Sequence, residues 1–453
     1  MSTGPSSATG SSPATGSSPA TGSSPAIGPS PAVPASPFGR FVAEAAAGGR
    51  LVVQPRMGFG DPARMRHGLE RTRFAAATTV GTLTLDSYTR LGDHDAVRRA
   101  LRAGLPLNGY PLVDLPAGRT RRLLDGLLGP DFPVQVRHGS ARPTAIVKAM
   151  TRAGLDATEG GPVSYCLPYG RTPLRESVDH WARACELLTR LVPAPRLPHL
   201  ETFGGCLLGQ LCPPALLVAV SVLEALFFTQ HGIRSVSLSY AQQTHPGQDE
   251  DALLALRRLA TRFLPPGTDW HLVLYTYMGV FPRTGTGARR LLEDSARLAV
   301  RTGAERLVVK TAAEAHRIPS VAENVGALES AGTAAELAAA RLRDGRAPRP
   351  VPPADSEVHA EARALVEAVL GLSPDVGLAL RTAFAHGLLD VPYCLHPDNA
   401  GRARSVVDAS GRLRWSSVGA MPLTADGPPG GHEVMTSAGL LTALNSVALR
   451  YDR

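Results

Sequence analysis

From about residue 50 to residue 312 the chain alternates short β-rich runs with amphipathic helical stretches, and this alternation constrains the fold more than any other feature. The runs read "RLVVQP", "TVGTLTLDSY", "LNGYPLV", "PVQVRH", "PVSYC", "HLETFG", "SVSLSY", "HLVLYTY" and "RLVVK". Between them lie helical stretches such as "DPARMRHGLERTRFAAA", "RPTAIVKAMTRAG" and "PLRESVDHWARACELLTRLV", several closing on the Gly that suits a left-handed C-cap. Regular strand–helix alternation of this kind builds a parallel sheet with helices outside it. Nine candidate strands are one more than a TIM (β/α)8 barrel requires, and the regularity favours that α/β barrel over an open sheet.

The flanks differ. Residues 1–37 repeat "GSSPAT" and continue through "IGPSPAVPASP", too poor in large apolar side chains to offset ordering entropy, so a disordered leader is expected. The barrel domain is assigned to residues 38–345 and a C-terminal extension of helices and irregular segments to 346–453. The proline-rich "RAPRPVPPADSE" near residue 350 reads as a linker, and "LLDVPYCLHPDNAGRARSVVDASGRLRWSSVG" as loops and short strands that close a barrel end or reach a partner.

Composition excludes several classes. The net charge is +8, yet the arginines are scattered beside acidic residues with no dense basic block and no interleaved aromatics, which argues against nucleic-acid binding. The five cysteines show no CxxC or finger spacing, as expected of reduced thiols in a cytoplasmic protein without structural zinc. No charged and then apolar segment opens the chain. The longest apolar run, Ala215 to Phe228, is shorter than the roughly 20 residues of a membrane span and contains Glu224, so it reads as a buried helix or a subunit contact.

Functional groups of a TIM barrel gather at the carboxyl ends of its strands. There this sequence puts an arginine three times: Arg56 after "LVVQP", Arg90 after "TLTLDSYT" and Arg137 at the end of "PVQVR". Three guanidiniums at one mouth repel one another unless anions fill the space, and their planar forks match carboxylate or phosphate oxygens two at a time. Pairing with the nearby Asp61, Asp86 or Asp93 is the purely structural alternative. In "TEGGPVSYCLPYG", Glu159 precedes a glycine pair and the phenols of Tyr165 and Tyr169, groups able to take the ammonium and spare oxygens of a compound whose carboxylates the arginines hold. An amino dicarboxylic acid fits that set. Lys310 ends "LVVK", with Glu314 four residues later, and a strand-end lysine in a barrel can form a Schiff base or simply pair with charge.

Taken together, "VVQPRMGFGD", "TLTLDSYTR", "LNGYPLVD", "QVRHGS", "TEGGPVSYCLPYG", "YMGVFP", "VVKTAAEA" and "DNAGRARSVVD" resemble, in order from about Arg50 to Pro422, the large epsilon subunit of methylaspartate (glutamate) mutase. The resemblance implies a TIM barrel that interconverts L-glutamate and threo-3-methylaspartate by an adenosylcobalamin radical mechanism. Arg56, Arg90 and Arg137 match the trio that holds the substrate carboxylates. Glu159, Tyr165 and Tyr169 match pocket residues, with Glu159 and Tyr169 expected nearest the chemistry, while Lys310, Glu314, Asn108 and Pro168 match positions near the adenosyl group. The cobalamin signature Asp-x-His-x-x-Gly occurs nowhere in the chain. In this family it belongs to a separate small subunit, so the expected assembly is a heterotetramer built on a homodimer of this chain. Two places depart from the pattern: Tyr275, Thr276 and Tyr277 stand where the family carries His-Gln-Trp, and Gln242 where a glutamate is common. Two other readings compete, a Schiff-base lyase using Lys310 and a non-catalytic barrel that binds a partner.

Overall fold

Eight short strands, β1 (Val52–Gln54), β2 (Gly81–Thr84), β3 (Val134–Arg137), β4 (Ala157–Gly160), β5 (His199–Thr202), β6 (Ser235–Ala241), β7 (Asp269–Tyr275) and β8 (Arg306–Val308), form one parallel sheet in the computed structural model. It describes residues 35–168, 170–207, 211–348, 350, 356–424 and 436–453. The strand order is β1-β8-β7-β6-β5-β4-β3-β2, and the ring closes where Val53 bridges Thr79 in parallel and donates its N–H to Thr78 O at 2.9 Å. This is the TIM-type barrel that the alternation predicts.

Two of the nine candidate strands are corrected. "LNGYPLV" is not a barrel strand: only Tyr110 bridges, to Leu85 beyond β2, while Asn108 Oδ1 accepts the Ser87 N–H at 2.9 Å. "PVSYC" is a turn, and the strand at that place is "ATEG", one step earlier. β4 lies between β3 and β5, so both of its edges are paired and the sheet supplies the order its own residues do not favour.

Residues 1–34 lie outside the described residues, but the folded domain already includes Ser36, ahead of the expected boundary at 38. Ser36 caps the helix Pro37–Ala47, accepting the Gly39 N–H at 2.8 Å, and its hydroxyl meets Ser235 Oγ at 2.8 Å. That helix stops the amino-terminal end of the barrel. Phe38 stacks on His199 with ring centroids 4.9 Å apart, and the Arg306 guanidinium lies over the Phe38 ring at 4.9 Å. Within the barrel, Arg306 bonds Glu201 and Gln54, Gln54 bonds Gln135 at 2.7 Å, and Gln135 bonds Glu201 at 3.1 Å. The interior is thus a paired polar network rather than an aliphatic one, and each charge in it has an opposite charge or hydrogen bonds.

Outside the barrel, the helix Pro214–Gln230 is apolar on nearly every face because it packs between the sheet and the helices Glu357–Leu370 and Val376–His386. It is a buried helix, and among the described residues no helix is long and apolar enough to cross a membrane. Most of the linker reading at 349–355 lies outside the described residues. The C-terminal extension contains the antiparallel hairpin β9 (Arg404–Val407) and β10 (Leu413–Ser417), which is tied back to the helix Pro246–Phe263 by the Gln248 amide on the backbone of Leu413.

Candidate functional site

At the carboxyl ends of the strands the barrel opens onto a cavity of about 600 Å³. Arg137 ends β3 and Glu159 lies one residue from the end of β4, while Arg56 follows β1 and Arg90 sits on the short helix Ser87–Leu91 beyond β2. All four line the cavity, as do Tyr165, Asn108 and Glu314. The three aspartates that offered a structural explanation for the arginines are occupied elsewhere. Asp61, Asp86 and Asp93 each cap a helix, accepting backbone N–H groups at 2.7, 2.9 and 2.9 Å.

The partners of the arginine cations inside the cavity are carboxylates of the cavity itself. Arg56 Nη1 meets Glu314 Oε2 at 2.7 Å, and Arg137 Nε meets Glu159 Oε2 at 2.7 Å. Arg90 has no ion pair among the described residues; its Nε donates to His138 O at 3.0 Å. The trio therefore exceeds its two carboxylates by one positive charge, and Arg317 at the rim is matched by Glu323 at 2.6 Å. A ligand with two carboxylates and one ammonium carries the single negative charge that balances this.

Glu159 is 1% exposed and held from three sides. Besides Arg137, it accepts from the Tyr165 hydroxyl on one oxygen and lies 2.8 Å from the Tyr275 hydroxyl on the other. Tyr275 also bonds Glu201, so the residue that departs from the family pattern joins the cavity carboxylate to the barrel's inner network. Gln242, the other departure, is buried away from the cavity, its Oε1 accepting from Ser295 Oγ at 2.6 Å.

The glycine pair beside Glu159 has a steric cause. Gly160 has φ +137°, and a Cβ there would stand 2.4 Å from the Trp181 ring; at Gly161 it would stand 2.0 Å from a Glu224 oxygen. Both close approaches require glycine.

His138 was not singled out from the sequence, although it follows Arg137 directly. Its Nδ1 accepts the Ser140 N–H at 2.9 Å, which puts the proton of the neutral ring on Nε2, and that nitrogen is buried with no partner among the described residues. Burial first, and then the Arg90 and Arg137 cations, push its pKa down to about 3. His138 is thus a neutral N–H donor in the cavity wall. Only its place one residue past a strand-end arginine signalled this.

Other expected residues fall differently. Lys310 does not line the arginine cavity; it lines a neighbouring groove of about 660 Å³, donates to Gly279 O at 3.3 Å and lies 4.5 Å from the centre of the Phe281 ring. Burial first, and then Arg56, lower its pKa to about 8. Pro168 is half-buried and outside the cavity lining, and Tyr169 lies outside the described residues. Among the described residues no cluster of His, Cys, Asp and Glu could hold a metal ion, and all five cysteines are unpaired and buried.

Comparison with known proteins adds the family. Residues 33–428 match the model of the methylaspartate mutase E chain. The chain is 30% identical over 357 residues to a glutamate mutase epsilon subunit from Escherichia coli O157:H7, covering 76% of this chain and 72% of that one. It is 29% identical over 407 residues to the glutamate mutase epsilon subunit of Yersinia enterocolitica, covering 86% and 82%. Among solved structures, the tryptophan synthase alpha chain of Legionella pneumophila aligns over 66% of this chain and 97% of its own at 12% identity, with a TM-score of 0.40. With a family match running through the barrel and most of the C-terminal extension, this chain belongs to the methylaspartate mutase E chain, or glutamate mutase epsilon subunit, family.

Proposed function

We propose that this chain is the large, substrate-holding subunit of an adenosylcobalamin-dependent mutase that interconverts L-glutamate and threo-3-methylaspartate. It would act with a separate small cobalamin-binding subunit, in a heterotetramer built on a homodimer of this chain. The observation that carries the reading is the convergence of Arg56, Arg90, Arg137 and Glu159 on one cavity. Arg90 and the outer edges of the Arg56 and Arg137 forks hold the two carboxylates, and the neutral His138 donates a further hydrogen bond. Glu159, steadied by Tyr165 and Tyr275, takes the ammonium. The resulting clamp grips both ends of a five-carbon diacid, so that fragments formed between them stay aligned for recombination.

The cavity is larger than an amino acid alone fills, and its wall suits a nucleoside. Asn108, the Glu314 carboxylate and Arg56, whose buried Nε has no partner among the described residues, offer the donors and acceptors that sugar hydroxyls need. These three residues would hold the adenosyl group, whereas Lys310 lines the neighbouring groove and Pro168 lies outside the cavity lining. Bound there, adenosylcobalamin supplies radical chemistry. The protein supplies position and excludes water.

The Schiff-base alternative is less well supported, since Lys310 lies in the neighbouring groove rather than among the arginines. The substrate class is tested by calorimetry on the chain with its small subunit, using L-glutamate, glutarate and 2-aminobutyrate. Glutamate should bind at least tenfold tighter than either analogue, because each analogue leaves a cavity charge unpaired. Equal affinity for the three would reject the diacid clamp.

A further inference from the structure

Glu224 is the one charged side chain on the buried helix Pro214–Gln230. Among the described residues it pairs with no cation. Instead its two oxygens accept the N–H of Val163 at 3.1 Å, the N–H of Ser164 at 2.9 Å, the hydroxyl of Ser164 at 3.0 Å and the N–H of Phe203 at 3.3 Å. Val163 and Ser164 belong to the turn after β4, and Phe203 to the segment after β5. Each turn presents a ring to the cavity, Tyr165 from the first and Phe203 from the second, and the rings touch with centroids 4.8 Å apart.

The fit is close on every side. Gly161 has no Cβ because the Glu224 carboxylate occupies that space, and Gly204 has none because a Cβ would stand 2.6 Å from the Ser221 nitrogen, on the same helix. Ser221, one turn before Glu224, fixes β5 as well, with its hydroxyl 2.7 Å from Thr202 Oγ1. Burying a carboxylate costs several kcal/mol unless hydrogen bonds replace water, so a purely packing role would be met better by an apolar residue. Burial raises the Glu224 pKa to about 7 against the opposing pull of its four donors.

We infer that Glu224 is the positioning residue of the substrate cavity: it locks together the two turns that present Tyr165 and Phe203 and through Tyr165 fixes Glu159. The kinetic part rests on the function proposed above; the anchoring part does not. Glu224→Gln keeps an oxygen for the Val163 and Ser164 N–H groups but turns an NH2 toward the Phe203 N–H, so two donors face each other. Ser164→Ala removes one donor from the turn side and leaves the helix untouched.

Two readouts decide it. In hydrogen exchange on the full chain, Glu224→Gln should speed exchange of the Val163, Ser164 and Phe203 amides at least tenfold, with the amides of β6 and β7 unchanged. Ser164→Ala should do the same more weakly, and serves if the glutamine variant does not fold. Unchanged exchange in these amides, or a uniform rise across the barrel, would overturn the anchor. In the reconstituted mutase, Glu224→Gln should lower kcat/KM at least tenfold in the wild-type background and less than threefold in a Tyr165→Phe background, because both changes release the same group. Equal losses in the two backgrounds would show that Glu224 does not act through Tyr165. If the wild-type complex turns over no glutamate, the proposed function fails, while the exchange data still decide the anchor.

Discussion

Arg137→Lys separates a charge from a fork. Arg137 is 5% exposed, and its Nε is already given to Glu159 at 2.7 Å, which leaves the outer guanidinium edge to face the cavity. A lysine keeps the positive charge beside Glu159 but has one ammonium where the arginine has two separate bonding edges. It cannot satisfy the Glu159 oxygen and grip a substrate carboxylate in the same geometry. Displacing the reacting fragments by about 1 Å can cost on the order of 100-fold, which is about 2.7 kcal/mol in transition-state free energy. The assay is kcat/KM for L-glutamate with saturating small subunit and adenosylcobalamin, and a fall of about 100-fold is expected. The melting temperature should hardly move, since the buried charge pair survives. Arg137→Ala, which strands the Glu159 carboxylate, should destabilise by about 3–5 kcal/mol. If the lysine variant keeps kcat/KM within threefold of wild type, Arg137 balances charge and does not clamp the substrate.

Other consequences can be checked independently. Deleting residues 2–34 should leave turnover and melting temperature unchanged, whereas a deletion through 37 removes the Ser36 cap and should cost about 1 kcal/mol or more, read as a lower melting temperature. His138 is held neutral far below pH 6.5, so the unfolded chain takes up that proton first; stability present above pH 6.5 is lost as pH falls toward about 3, at up to roughly 1.4 kcal/mol per pH unit. Urea titrations should show His138→Gln to be flatter than wild type across that window, and parallel curves would contradict the assignment. Lys148 is the only other lysine, so the resonances of ¹³C-dimethylated protein are simple to assign, and Lys310 should titrate near pH 8. Borohydride added with a 2-oxo diacid such as 2-oxoglutarate, whose ketone could form an imine with a lysine, should leave Lys310 unmodified, and a trapped adduct would revive the Schiff-base reading.

The barrel was legible because helices and strands recur at regular intervals, and seven of the nine β-rich runs, all but "LNGYPLV" and "PVSYC", contain its strands. The two errors share a cause. "LNGYPLV" carries the residues of a strand but spends its backbone on a loop that brackets Ser87, whereas "ATEG" carries few and is made a strand by neighbours on both edges. The arginines were legible because each follows a strand run. That Arg90 stands on a short helix rather than at a strand end did not prevent its side chain from reaching the cavity. Lys310 obeyed the same rule and yet faces the next groove, since the side of the strand end on which a residue emerges depends on backbone detail that spacing does not carry. His138 and Glu224 were hidden for a different reason. Their roles depend on which polar atoms lack or find partners across the fold, as when Glu224 meets turns about 60 and 21 residues away.

The most direct test of the central claim is proton NMR of L-glutamate incubated with the purified chain, the small cobalamin-binding subunit and adenosylcobalamin. The methyl doublet of 3-methylaspartate should grow with time when all three are present and should be absent when any one is left out. A complete mixture that yields no doublet, or a doublet that forms without the small subunit or without the cofactor, would contradict the assignment of this chain as the substrate-holding half of a cobalamin-dependent mutase.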